Sequence, residues 1–371
     1  MEQDPKWYTI SNASEVPSPA LLVYPDRIKS NILRMVGITG DAHRLRPHVK
    51  THKTPEIIRM QMELGIGKFK CATISEMEMV AGCGAGDIVL AYQPVGPNLQ
   101  RFFLLKKKFP EAKISCIVDS EEVALQLSAM SVRFGLQAGV WLDMNNGMNR
   151  TGIEPGEDAE KLSRKITEMP MLSLKGLHIY DGHIKQSDFS RRQKICNDSF
   201  GPVADLLDKL KDPGIDDLKI IAGGSSTFPI HAMRGGVECS PGTTILWDYG
   251  YSSSFPDMDF LHAAVLFTRI VSKPAKGMIS LDLGHKAMAS EMPHPRVMLP
   301  EIGNYKMIIH SEEHMVIETP AAERLKTGDI LYGIPWHICP TVDRFDSIFV
   351  VDDHKVERQW DVTARKRKIT I

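Results

Sequence analysis

From about residue 20 to residue 250, short apolar runs alternate with stretches whose apolar residues recur every three or four positions. The extended runs fall at 20–24, 45–50, 68–73, 87–92, 113–118, 138–144, 174–180, 218–222 and 238–246. Between them, Ile28, Ile32 and Met35 mark one helical face. Val123, Leu127, Met130 and Phe134 mark another, with Ser120 placed to cap it. Residues 157–168 and 202–210 repeat the pattern. Strand–helix alternation at this spacing predicts a parallel sheet with crossover helices. About eight such units close into a (β/α)8 barrel of the TIM type more readily than they form an open doubly wound sheet. The nine runs are one too many for that barrel, so one of them belongs elsewhere.

Beyond about residue 255 the helical period disappears. Runs at 262–271, 278–283, 305–310, 313–318, 329–332 and 346–351 follow one another with turn residues between them, and Asp352-Asp353-His354-Lys355 has the make-up of a hairpin turn. The expectation is an α/β chain: a barrel over 20–255, and an antiparallel β domain made of 1–19 and 256–371.

Composition narrows the function classes. At 43% hydrophobic and 25% charged residues the chain has the make-up of an ordinary globular protein. Lys and Arg (45) balance Asp and Glu (46), so no global field attracts nucleic acid or an acidic membrane. The densest basic run, Arg365-Lys366-Arg367-Lys368, reads as a solvated strand end. The first residues lack the basic start and apolar stretch of a signal peptide, and no run approaches a membrane span, which predicts a cytoplasmic protein. Six cysteines are scattered without a CxxC pair, as expected of free thiols in a reducing compartment.

The most unusual segment is Leu45-Arg46-Pro47-His48-Val49-Lys50-Thr51-His52-Lys53. If the strand continues that far, alternation puts His48, Lys50 and His52 on one face, at the end of a barrel strand, where active sites of this fold sit. An inward lysine is costly as an ammonium ion, and a lysine that loses its proton readily can form an imine with an aldehyde cofactor. A solvated basic turn has the same spacing, and the spacing does not separate the two. Two later segments suit a phosphate: Gly223-Gly224-Ser225 after one strand, and Gly242-Thr243 after the next. Each alone is no more than a turn signal. Arg150 in the loop after 138–144 could donate to a cofactor oxygen or simply face water. Tyr180 could stack on a ring, and His183 could serve as an acid or base or fill a core hydrogen bond. In the β domain, His337 and Cys339 stand two apart, so on an extended segment one cation meets both. Imidazole with thiolate favours zinc, with manganese or magnesium as other candidates. Alone, His-x-Cys is better explained by coincidence.

Taken together these segments resemble the D-threonine aldolase and D-serine dehydratase group of fold-type III pyridoxal-phosphate enzymes, relatives of alanine racemase. The resemblance rests on Arg46-Pro47-His48-Val49-Lys50-Thr51-His52-Lys53, Gly147-Met148-Asn149-Arg150-Thr151-Gly152, Gly223-Gly224-Ser225, Pro241-Gly242-Thr243, Ser311-Glu312-Glu313-His314 and Pro335-Trp336-His337-Ile338-Cys339-Pro340-Thr341, in the family's order along nearly the whole chain. It implies that the run at 20–24 lies outside the barrel. It implies pyridoxal 5'-phosphate on Lys50, with Arg150 near its phenolic oxygen and Gly223, Gly224, Ser225, Gly242 and Thr243 around its phosphate. It implies a divalent metal on His337 and Cys339, and a homodimer. The activity implied is a lyase that cleaves D-β-hydroxy-α-amino acids, D-threonine to glycine and acetaldehyde; the β-hydroxyl proton goes to a histidine, with His52, His183 and His314 as candidates, or to a metal-bound water. Cys339 stands where the group's dehydratases carry cysteine and its aldolases aspartate. A D-serine or D-threonine dehydratase giving a 2-oxo acid and ammonia is therefore the second reading. A racemase, a non-catalytic pyridoxal-phosphate carrier and a plain metabolite-binding barrel are the others.

Overall fold

The computed structural model describes residues 6–211 and 217–371. The chain forms two compact units. One holds Leu33–Lys50, Ile57–Gly242 and Thr363–Ile371; the other holds Met1–Ile32, Thr51–Glu56 and Thr243–Val362. These divisions differ from the single cuts at 20 and 255 drawn on the sequence, because the chain crosses between units several times.

Strand β1 (Ala20–Val23) belongs to the second unit and is taken up below. The first unit is the barrel. Its strands β2 (Lys68–Cys71), β3 (Asp87–Leu90), β4 (Lys113–Val118), β5 (Ala138–Met144), β6 (Leu172–Ile179), β7 (Lys219–Ala222) and β8 (Val237–Cys239) lie side by side in chain order, every neighbouring pair parallel. Consecutive order with a helix in most connections is what the alternating pattern predicts. Residues 45–48 close the circle. Leu45 bridges to Cys239 and His48 to Lys70, both parallel. Arg46 N–H donates to the Cys239 carbonyl (2.8 Å), and Lys70 N–H donates to the Pro47 carbonyl (2.9 Å). Pro47 has no N–H to give, so this eighth stave makes bridges rather than a continuous ladder. Val89, Ile117, Trp141 and Ile221 pack together in the core, and the Trp141 indole donates to Ser115 Oγ at 3.1 Å. Arg46, wholly buried, is paired with Asp87 (2.8 Å) and Glu238 (2.7 Å), as a buried guanidinium must be.

Ser120 caps the helix Glu121–Phe134 by accepting from Val123 N–H, and residues 157–168 form one helix, both as the periodicity predicts. Two expectations are corrected. The helix expected over 202–210 runs from Phe189 to Lys209, because Asp188 caps it by accepting from Arg191 N–H at 2.7 Å and Pro202 lies inside it rather than at its start. The run 238–246 is a strand only to Cys239; Thr243–Ile245 is a single 3-10 turn. The basic run in the tail is solvated, with Lys366, Arg367 and Lys368 exposed, but it is not a strand. Its backbone is used against the barrel unit: Ser75 donates to the Lys366 carbonyl, and Arg101 donates to the Ile371 carbonyl at 2.9 Å.

The second unit is a nine-stranded sheet. It contains β1 with β9 (Ala264–Ser272), β10 (Met278–Leu281), β11 (Val297–Met298), β12 (Lys306–His310), β13 (Met315–Glu318), β14 (Ile330–Pro335), β15 (Ser347–Asp352) and β16 (Lys355–Asp361). Pairing is antiparallel except between β1 and β15, so the sheet is mixed. β1 thus lies outside the barrel and accounts for the ninth run. The turn 352–355 joins β15 to β16 with Asp353 and His354 at positive φ (45° and 59°), the geometry a two-residue hairpin loop needs. Among the described residues no helix is long and apolar enough to cross a membrane.

Candidate active site

Because the barrel strands are parallel, the segments that follow them share one rim. Lys50 follows the stave 45–48, Arg150 follows β5, Tyr180 follows β6, Gly223 follows β7 and Gly242 follows β8. The expected alternation of His48, Lys50 and His52 along a strand does not occur. Val49–Thr51 is a 3-10 turn, in which His48 Nδ1 accepts from Lys50 N–H at 3.3 Å. Lys50 is half-buried, with its Nζ 5.7 Å from the centre of the Tyr180 ring. The Arg150 guanidinium lies 4.7 Å from the same centre, so the structure brings Lys50, Arg150 and Tyr180 together. Asp143, Met144, Met148, Arg150, Thr151 and Tyr180 line a small cleft open to solvent.

A second lysine, absent from the sequence expectations, joins this group. Lys70 of β2 is buried, its Nζ 5.8 Å from the Tyr180 centre and 3.4 Å from His178 Nε2. Burial and the positive charge of Lys50 push its amine down to about 7. His178 Nδ1 lies 2.7 Å from Asp143 Oδ1. Burial works to raise Asp143, but bonds from His178 and Thr151 and the charge of Lys70 hold it below the usual carboxylate range. Burial, then the Lys70 charge, lowers His178, so this pair is an imidazole–carboxylate hydrogen bond at neutral pH.

The glycine-hydroxyl segments meet. Gly242 N–H donates to Ser225 Oγ at 3.2 Å, and residues 223–228 are all buried. Gly223 sits at φ +82°, and a Cβ there would come within 2.9 Å of His231. A Cβ on Gly224 would lie 3.0 Å from the Tyr180 ring. Glycine is therefore required where this backbone turns against the Tyr180 ring. Under the loop is a network the sequence reading missed. Thr227 Oγ1 donates to Asp181 Oδ1 (2.5 Å) and accepts from Gly224 N–H (3.1 Å). His231 Nε2 lies 2.7 Å from Asp181 Oδ2, and Cys196 Sγ lies 3.4 Å from His231 Nε2. These three buried side chains could in principle hold a metal. The protons argue otherwise. Arg234 lies 3.1 Å from His231 Nδ1 and has only hydrogens to offer, so Nδ1 accepts and Nε2 carries the hydrogen that Asp181 receives. The cluster is a hydrogen-bonded anchor for the loop.

The candidate bases differ in setting. His52 is completely buried; its Nδ1 accepts from Thr54 N–H at 3.2 Å, its Nε2 has no hydrogen-bond partner, and burial pushes it down to about 3. His183 is half-buried, with its Nε2 beside Gly147 and its Nδ1 without a partner. His314 is exposed on the turn between β12 and β13.

In the second unit His337 and Cys339 are not on an extended segment. β14 ends at Pro335, His337 precedes the short helix Ile338–Val342, and Cys339 lies in that helix's first turn. They still interact. Burial opposes a charged His337 ring, but the Cys339 sulfur, Glu291 and Asp248 outweigh it and hold the ring up at about 9. Glu291 accepts from His337 Nδ1, and the buried Asp248 accepts from Ile338 N–H at 2.9 Å. The Cys339 sulfur lies 3.2 Å from the hydroxyl of Thr51, the residue after Lys50 in the chain, and 3.6 Å from that of Thr243. A half-buried imidazole with a carboxylate behind it and a thiol in reach is a donor set that suits zinc.

A family model described as alanine racemase, N-terminal domain, matches residues 23–249, and a serine dehydratase domain model matches 263–351. The chain is 28% identical to a D-threonine aldolase of Arthrobacter sp. over 358 residues, covering 95% of this chain and 93% of that one. It is 26% identical to a 3-hydroxy-D-aspartate aldolase of Paracoccus denitrificans, again over 95% and 93%. The crystal structure of D-threonine aldolase from Filomicrobium marinum superposes with a TM-score of 0.88 at 26% identity, covering 98% of this chain and 99% of that one.

Proposed function

The chain belongs to the family of the alanine racemase N-terminal domain, and from that premise we propose that it is a pyridoxal-phosphate- and metal-dependent lyase that cleaves D-β-hydroxy-α-amino acids, D-threonine to glycine and acetaldehyde among them. Full-length similarity to two aldolases supports the reaction class. The observation that carries the reading is local. Lys50 and Arg150 converge on Tyr180.

The residues fit the cofactor. Lys50 supplies the amine for its aldehyde, Arg150 a donor for its phenolic oxygen, and Tyr180 a ring for its face. Gly223, Gly224, Ser225, Gly242 and Thr243 supply amides and hydroxyls for its phosphate, on a backbone that admits no side chain at Gly223. Bound there, the cofactor supplies an electron sink for the bond broken at Cα. His337 and Cys339 would hold the metal, zinc before manganese or magnesium, which would supply a Lewis acid for the β-oxygen. Glu291 fixes the His337 ring with Nε2 turned away from the carboxylate. Among the candidate bases the setting favours His183 for moving the β-hydroxyl proton. His52 has no route to give a proton to water and stays neutral, and His314 stands on an exposed turn. The buried loop backbone at 223–228 would orient the phosphate end.

Cys339 supports a second reading, the dehydratase that yields a 2-oxo acid and ammonia. Incubating the metal-loaded protein with D-threonine decides between them. Glycine with acetaldehyde is expected; 2-oxobutanoate as the main product would overturn the aldolase reading. The six cysteines are free thiols, which fits a cytoplasmic protein, and the balanced charge fits a small-molecule substrate rather than nucleic acid or a membrane. We propose a homodimer on the resemblance.

A further inference from the structure

Lys70 has no part in the chemistry above. It is nonetheless 1% exposed, and a lysine is seldom buried that completely without a carboxylate on its amine. Its close polar neighbour is instead an imidazole. Nζ lies 3.4 Å from His178 Nε2, His178 Nδ1 lies 2.7 Å from Asp143 Oδ1, and Thr151 Oγ1 donates to Asp143 Oδ2 at 2.9 Å. His178 is 3% and Asp143 4% exposed, so the whole chain of bonds is shielded from water. The order of donors follows. Asp143, held as a carboxylate, takes the hydrogen on His178 Nδ1. That leaves the Nε2 lone pair facing Lys70, which donates to it whether charged or neutral.

The groups around the Lys70 amine pull its proton in opposite directions. Lys50 and Arg150 are cations that favour its loss; Asp143 and Asp181 are anions that favour its retention; His178 accepts from either form, and the Tyr180 ring face favours the cation. Burial adds its weight to the cations, and the amine sits at about 7 instead of 10.5. Lys50 and Lys70 lie at nearly the same distance, 5.7 and 5.8 Å, from one aromatic centre. Whichever charge Lys70 carries is therefore felt where Lys50 works.

We propose that Lys70 is a positioning residue of this site, a second amine whose proton, held against His178 and Asp143, sets the charge beside Lys50 and Tyr180 and so tunes how firmly the site holds an anionic aldehyde. With the proton on, three cationic heads surround Tyr180; with it off, two remain. The proposal rests on the reading of Lys50 given above. Its first test does not.

In protein freed of cofactor and labelled selectively at lysine nitrogen and its carbon neighbour, the side-chain resonance of Lys70 is followed by NMR from pH 5 to 10. It is assigned by its loss in Lys70→Arg, or by its contacts with the Tyr180 ring should that variant not fold. A midpoint within about one unit of pH 7 is expected; an amine still protonated at pH 9 overturns the proposal. The second test measures the affinity for pyridoxal phosphate between pH 6 and 8.5. Wild type should weaken several-fold more across that range than Lys70→Arg, which keeps its charge, and Lys70→Met should be weak throughout. Parallel curves for all three overturn the proposal. If pyridoxal phosphate raises no absorbance band on wild type, the reading of Lys50 fails while the NMR midpoint still judges Lys70.

Discussion

Thr227→Val isolates the anchor beneath the glycine loop. Threonine 227 is completely buried, and valine has its shape without the hydroxyl, so no cavity opens. Two bonds go: the donation to Asp181 at 2.5 Å and the acceptance from Gly224 N–H at 3.1 Å. A bond to a buried carboxylate contributes about 1.5–3 kcal/mol, and a buried N–H left without an acceptor costs about 1–3 kcal/mol. If the loop stays rigid, the loss is roughly 2.5–6 kcal/mol, read as a lower urea midpoint. If the loop relaxes to rescue Gly224 N–H, stability is partly recovered and the cost moves to the phosphate end of the cofactor. About 2 kcal/mol transferred that way weakens cofactor affinity roughly 30-fold. Urea unfolding and equilibrium titration with pyridoxal phosphate should therefore be run on the same samples, with Thr227→Ser, which keeps the hydroxyl, as the rescue. A Thr227→Val protein within about 0.5 kcal/mol of wild type in stability and within about twofold in affinity would refute the anchor.

Gly223→Ala should lose cofactor affinity and stability together, because φ +82° is strained for alanine by about 1–2 kcal/mol and the new methyl meets His231 at 2.9 Å; equal urea midpoints would contradict this. His52 titrates at about 3 when folded and 6.5 when not, so the unfolded chain holds the extra proton between those values. Stability should then fall as pH drops from about 6.5 towards 3, by up to about 1.36 kcal/mol per pH unit, and His52→Phe should flatten the slope by as much as one proton in urea titrations across that range. Stripping the metal with a chelator should end product formation from D-threonine but leave the absorbance band of the cofactor in place; His337→Ala should do the same and should lower zinc stoichiometry in elemental analysis.

The barrel was legible because its strands are short, mostly buried runs separated by helices of regular period, and even the weak stave 45–48 stood out through its charged end. The limits of elements were less so. Pro202 looked like a helix start, yet Asp188 caps the helix 14 residues earlier, and a proline inside a helix is invisible to periodicity alone. The turn at Lys50 was misread as strand because His48, Lys50 and His52 alternate; the local bond from Lys50 N–H to the His48 ring overrides that pattern. Lys50, Arg150, Tyr180 and the glycine segments were legible as candidates, since unusual residue types at strand ends are a local signal. Lys70 was not singled out, though a lysine third in the short strand Lys68-Phe69-Lys70-Cys71 could have drawn notice. Asp181, His231 and Thr227 were missed because their network joins residues up to 50 apart, a relation no local pattern carries.

Borohydride reduction of the protein incubated with pyridoxal phosphate, followed by peptide mass mapping, bears on the whole account at once. A pyridoxyl group fixed on Lys50, and lost from that peptide in Lys50→Ala, is the result predicted. Label on Lys70 or on surface lysines, with the Lys50 peptide unmodified, would contradict the account.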